Sequence, residues 1–188
     1  MKILVFGSGR GSNYKAIVEN TDSSLVEVSA VVVNRPEAPI IELARGFNHR
    51  VILVESSGMN REMHEEEILR RIEKYQFDLV VLAGYMRILS KNFLSSLKVP
   101  IINIHPSLLP SFPGLNAQKQ AIDAGVKESG CTVHLVNELV DSGRILGQER
   151  VPVYPDDSDK ELANRILEKE HTLYPHIISE IARGNIRI

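Results

Sequence analysis

The chain has 188 residues, 43% of them hydrophobic, with a single cysteine and 22 lysines and arginines against 24 aspartates and glutamates. That length supports one domain with a sizeable core, and a net charge of −2 without a basic run argues against a nucleic-acid binder. The lone Cys131 excludes an intrachain disulfide framework and suits a cytoplasmic compartment.

KILVF (2–6) reads as a first strand. A short apolar run that meets glycines at once is not a signal peptide. The longest fully apolar stretch, Leu79 to Ala83, falls far below the ~20 residues that cross a bilayer. SNYKAIVEN (12–20) predicts a helix, VEVSAVVVN (26–34) a strand, residues 37–47 a helix with Gly46 near its end, and RVILVE (50–55) a third strand. Residues 60–75 form the clearest helix: Ile68, Ile72 and Tyr75 recur at helical spacing, Asn60 is a cap, and early glutamates suit the positive end. Strands follow at 78–84 and 99–105. After them come a helix at 117–124, more alternating strands at 129–137 and 144–153, and a long helix at 158–183 that Pro175 is expected to kink or break.

Continuous Val/Ile/Leu strands alternating with helices indicate the α/β class: a doubly wound, mostly parallel sheet with helices on both faces. The last two strands read as edge strands, antiparallel to the rest. No repeat, low-complexity tract or linker interrupts the chain, so residues 1–188 are read as one domain.

The loop GSGRGSN (7–13) occupies the position of a phosphate loop, between a first strand and a helix N-terminus. It departs from the dinucleotide pattern G-x-G-x-x-G, because Ser12 stands at the third glycine position and Asn34, not an acid, ends the second strand. A single phosphate on Gly11, Ser12 and Asn13 fits better than a nicotinamide. A tight turn with no ligand remains an alternative.

NIHPSLLPSFPG (103–114) ends the fifth strand on Asn103 and His105, which share a face at i and i+2. Pro106, Pro110 and Pro113 stiffen the loop beyond them. An isolated N-x-H also suits a polar strand exit, but a frozen loop beside the pair favours function. An amide donor beside an imidazole suits chemistry at a carbonyl, the amide meeting an oxyanion and the ring exchanging a proton. No nucleophile elbow is present, so direct attack by a substrate amine is the simpler scheme. Asp141, in NELVDSGRIL (137–146), is the candidate partner for His105, though Asp-Ser-Gly is equally an ordinary turn. Cys131 with His134, and His171 with His176, are spaced so that each pair diverges, and no metal site is expected.

GSGRGSN, LAGYMRILS (82–90), NIHPSLLPSFPG, VDSGRIL and EKEHTLYP together resemble the glycinamide ribonucleotide formyltransferases of purine synthesis, in family order over residues 7–175. The resemblance implies formyl transfer from 10-formyltetrahydrofolate to the amine of glycinamide ribonucleotide, without a metal. It implies that Asn103 binds the formyl oxygen, that His105 donates a proton and that Asp141 supports His105. Gly11, Ser12 and Asn13 would hold the substrate phosphate, and Lys169 and Glu170 would face the ribose or glycinamide. Arg61, Met86, Arg87, Ile88 and Leu89, with Asn103 and the segment Asn137, Glu138, Leu139, Val140 and Asp141, would line the folate pocket. On composition alone Met86, Ile88 and Leu89 read as core and Arg61 as an exposed charge. The N-terminal half would then bind phosphate and the C-terminal half folate. Partners would be small molecules, with neither nucleic acid nor membrane, and a homodimer is compatible.

Two positions depart from the family pattern. Asn116 stands where a histidine commonly follows P-G-L, and Arg144 replaces a small or neutral residue at the expected lip of the folate pocket. The related transfer-RNA enzyme is expected to need a further domain and a basic surface, and the formylfolate hydrolase an N-terminal extension; neither is evident. A nicotinamide reductase rests on the glycine loop alone, and a ligand-binding module has no need of three converging polar groups.

Overall fold

The computed structural model describes residues 1–188. Its strands are β1 (Lys2–Gly7), β2 (Glu27–Val33), β3 (Val51–Leu53), β4 (Leu79–Leu82), β5 (Ile101–His105), β6 (Glu128–Leu135) and β7 (Ile145–Pro152). Its helices are α1 (Ser12–Asn20), α2 (Ile40–Gly46), α3 (Arg61–Ile72), α4 (Lys91–Ser96), α5 (Ala117–Asp123) and α6 (Asp159–Ala182). The strands form one sheet in the order β3-β2-β1-β4-β5-β6-β7. Pairing is parallel from β3 to β5 and antiparallel for β5–β6 and β6–β7, so the expected α/β architecture with antiparallel strands at the C-terminal edge is observed.

Side chains alternate across a strand, so a sheet buried on both faces carries two cores. Ile3, Val5, Val31, Val33, Leu79, Val81, Ile102 and Ile104 face the larger core, under α1, α2, α5 and α6. Leu4, Phe6, Val32, Val80, Leu82 and Ile101 face the other, under α3 and α4. Asn103 and His105 continue the Ile101 row, so the pair emerges on the α3/α4 face at the carboxyl end of the parallel strands, where open α/β sheets bind ligands.

One expectation needs correction, and one element lies where no reading is made from the sequence. Helix α6 runs unbroken through Pro175. Its turns are anchored on both sides of the proline: the Tyr174 hydroxyl donates to the carbonyls of Leu82 and Ile102, and Ile177, Ile178 and Ile181 are buried. That packing offsets the one backbone bond that proline removes. Helix α4 was not anticipated. It is a single short element whose one buried residue is Phe93, too brief for periodicity to register. Its start is set by Ser90, whose hydroxyl accepts from the Phe93 N–H at 3.1 Å and whose backbone N–H donates to the buried Glu65 of α3 at 2.7 Å.

Candidate active site

The register places Phe6, Leu82, Asn103 and His134 in one row across β1, β4, β5 and β6. The phosphate-type loop leaves β1 just beyond that row, and the proline-rich loop leaves β5. The topology therefore collects the candidate residues at the carboxyl end of the parallel strands.

His105 is 5% exposed and held between two acceptors. Its Nε2 lies 2.9 Å from the carbonyl of Phe112, and its Nδ1 lies 3.2 Å from Oδ2 of Asp141. A neutral ring can donate to one of these acceptors and an imidazolium to both. The Phe112 carbonyl is fixed because the whole loop is fixed. The Thr132 hydroxyl donates to the Ser107 carbonyl at 2.6 Å and accepts from the Leu109 N–H at 3.0 Å. Gln148 donates to the Leu109 carbonyl, and the Ser107 hydroxyl to the Ser111 carbonyl. Phe112 itself sits at φ 55°, a left-handed conformation that the surrounding bonds sustain.

Asp141 also has positive φ, at 50°, which aspartate tolerates better than most residues. Its Oδ2 accepts from the Gly114 N–H at 2.8 Å. Burial alone would raise its carboxyl, but hydrogen bonding and the nearby His134 and His105 rings outweigh burial and hold it below the usual carboxylate range. Asn137 shapes this loop internally, its Oδ1 accepting from the Leu139 N–H and the Ser142 hydroxyl, both at 3.0 Å.

In the sequence His134 is weighed only as a metal ligand, with Cys131, and not as part of this site. Its Nδ1 lies 2.9 Å from the Leu135 carbonyl, to which it donates, and its Nε2 lies 3.3 Å from Nδ2 of Asn103 and 3.6 Å from Oδ1 of Asp141. The Asn103 distance is within hydrogen-bond range and the Asp141 distance exceeds it. At 3.3 Å the ring can accept one Asn103 N–H, which fixes the amide plane and leaves the second N–H for a ligand oxygen. The signal existed in principle, since His134 pairs with Asn103, but only the β5–β6 register reveals it.

These groups border a cavity of about 810 Å³. Every residue assigned above to the folate side lines it: Arg61, Met86–Leu89, Asn103 and Asn137–Asp141. Met86 and Ile88 are not core residues: they are 64% and 62% exposed, with Leu139 at 70%, and form an apolar lip. Leu89 is buried in the smaller core and also reaches the cavity. Asn116 lines it too, at φ 57°. Arg144 does not form the lip: its guanidinium donates to the Arg187 carbonyl near the C-terminus. Lys91 of α4 pairs with Glu138 across the mouth at 3.0 Å, a solvent-exposed contact of small energetic weight.

The glycine loop forms a second part of the site. Gly11 has φ 79°, and a Cβ there would lie 2.8 Å from the Ile40 side chain, so only glycine fits. It offers no side chain to cap α1, and the first turn carries no acid, which leaves N–H groups and a positive helix end for an anion. Asn13 donates from Nδ2 to Oε2 of Glu170 at 2.7 Å, bringing α6 to the loop. Burial pushes the Glu170 carboxyl up, partly offset by this bond. Lys169 points instead toward β7, 3.8 Å from Glu149.

The formyl transferase family model matches residues 1–178. The phosphoribosylglycinamide formyltransferase of Escherichia coli (strain K12) is 39% identical over 191 residues, covering 100% of this chain and 90% of that protein. The trifunctional purine biosynthetic protein adenosine-3 of Drosophila melanogaster is 38% identical over 194 residues; the chain is wholly covered but spans only 14% of that protein. The crystal structure of glycinamide ribonucleotide transformylase 1 from Symbiobacterium toebii superposes with a TM-score of 0.94 at 39% identity, covering 100% of this chain and 90% of that one.

Proposed function

The chain belongs to the formyl transferase family, and from that premise we propose that it is a phosphoribosylglycinamide formyltransferase, acting in purine biosynthesis on glycinamide ribonucleotide and 10-formyltetrahydrofolate. The observation that carries the reading is the meeting of His105, Asp141 and Asn103 at the edge of one cavity, beside a loop suited to phosphate.

The folate occupies the cavity, its formyl group reaching Asn103. The substrate phosphate rests on Gly11, Ser12 and Asn13, with Glu170 beside the ribose or glycinamide. The glycinamide amine attacks the formyl carbon, and the oxyanion that forms accepts the free Asn103 N–H. His105, positioned by Asp141 and the Phe112 carbonyl, supplies the proton that the departing folate nitrogen requires. The attacking amine loses one proton in exchange, so the site returns to its starting state. Residues 1–188 serve as one unit, with the phosphate on the N-terminal side and most of the folate wall from later segments. The chemistry involves small molecules without a metal and suits the cytoplasm.

The test is an absorbance assay for deformylation of a 10-formylfolate analogue, with and without glycinamide ribonucleotide. Turnover that depends on the amine is expected. Turnover without it identifies a hydrolase instead, and no turnover in either arm removes the reading.

A further inference from the structure

We infer that Ser8 is a positioning residue that couples the two ligand sites. This rests on the function proposed above and concerns how its two halves communicate. Ser8 is 2% exposed and does not line the cavity. Its backbone N–H donates to the Gly84 carbonyl at 3.1 Å, and its hydroxyl oxygen accepts the Met86 N–H at 2.9 Å. Gly84 and Met86 both line the cavity, while Ser8 belongs to the same tight loop as Gly11, Ser12 and Asn13. One buried residue therefore holds the phosphate loop and the folate loop in register.

The other side of the phosphate loop is closed to movement. The Ile40 N–H donates to the Gly9 carbonyl at 3.1 Å, and a Cβ on Gly7 or Gly11 would lie 2.5 or 2.8 Å from Ile40. A small adjustment of residues 8–13 on binding phosphate is consequently passed toward Gly84, whose φ of 75° makes it a natural pivot for the segment carrying Met86. Ordering either loop lowers the cost of ordering the other, and by linkage the effect is equal in both directions.

The test compares the native protein with Ser8→Ala, which keeps the backbone bond to Gly84 and removes the acceptor for Met86. The dissociation constant of a dideazafolate lacking the formyl group is measured with and without saturating glycinamide ribonucleotide. The native protein is expected to bind the folate about five-fold or more tightly when the ribonucleotide is present. In Ser8→Ala that ratio falls to about one, while kcat with both substrates saturating stays within about three-fold of native. An unchanged ratio in the variant, or a ratio of one in the native protein, overturns the inference. Should the variant misfold, amide exchange in the native protein decides: slower exchange at the Met86 N–H with ribonucleotide alone supports coupling, and unchanged exchange refutes it. Formyl transfer by the same native preparation separates the two readings, since transfer without coupling removes only the role of Ser8.

Discussion

The carboxylate of Asp141 lies 3.2 Å from Nδ1 of His105 while also accepting the Gly114 N–H at 2.8 Å, so the loop after β6 and the proline-rich loop after β5 meet on one group. Asp141→Asn keeps the shape and removes the negative charge beside the His105 ring. Activity on the alkaline side of the kcat profile is expected to be lost at lower pH than in the native protein. On the acid side, the native carboxyl is held below the usual carboxylate range, so the charge it provides persists until pH falls beneath that range. A kcat–pH profile of both proteins checks this, and coincident profiles would show that the two residues do not act together.

His105→Ala removes the proton donor and leaves the glycine loop untouched. A fall in kcat of about 10²–10⁴ is expected. Direct titration with glycinamide ribonucleotide should give a dissociation constant within about two-fold of native. Full turnover in the variant would assign proton transfer to another group.

For Asn103→Ala the expected loss in kcat is about 10²–10³, the usual consequence of deleting one donor to a developing oxyanion. Because His134 holds that amide at 3.3 Å, His134→Ala should produce a smaller loss in the same parameter with no change in ribonucleotide affinity. Steady-state kinetics on both variants tests the order of the two effects.

Gly143 sits two residues beyond Asp141, and a Cβ there would lie 1.7 Å from the Leu135 carbonyl oxygen, a backbone atom that cannot swing aside. Gly143→Ala is expected to destabilise the protein by about 1–3 kcal/mol and to lower kcat by displacing the Asp141 loop. Thermal unfolding and turnover measured together check it; native values for both would mean that the loop accommodates the methyl.

Much of this arrangement was legible because it depends on local chemistry. Uninterrupted Val/Ile/Leu strands can only belong to a sheet covered on both faces, and Asn103 and His105 share a face by strand geometry alone. What was not legible depends on which strands become neighbours. Asp141 reads as a turn residue until β6 folds back antiparallel to β5, and His134 is an unremarkable strand histidine until register sets it opposite Asn103. Met86 and Ile88 look like core and are exposed because Gly84, at positive φ, turns the chain off β4 before them. Arg144 was expected at the pocket lip and instead reaches the C-terminal tail, a contact between segments far apart in sequence.

Glu170 offers a test in which stability and function separate. Its carboxyl is raised by burial, with the Asn13 N–H working the other way. An acid raised on folding holds its proton more tightly in the folded state than in the unfolded one. Native stability therefore falls as pH rises from the ordinary carboxylate range through the folded value, and the loss is complete above it. Glu170→Gln has the same shape, still accepts from Asn13 through its carbonyl oxygen, and cannot ionise. The difference in Tm, variant minus native, should be more positive at pH 7 than at pH 4, where each kcal/mol corresponds to about 2–4 °C for a chain of this size. The same substitution should raise KM for glycinamide ribonucleotide, because an amide accepts a substrate hydroxyl less strongly than a carboxylate does. A Tm difference that does not change with pH would mean that Glu170 is solvated in the folded protein. An unchanged KM would place the ribose elsewhere.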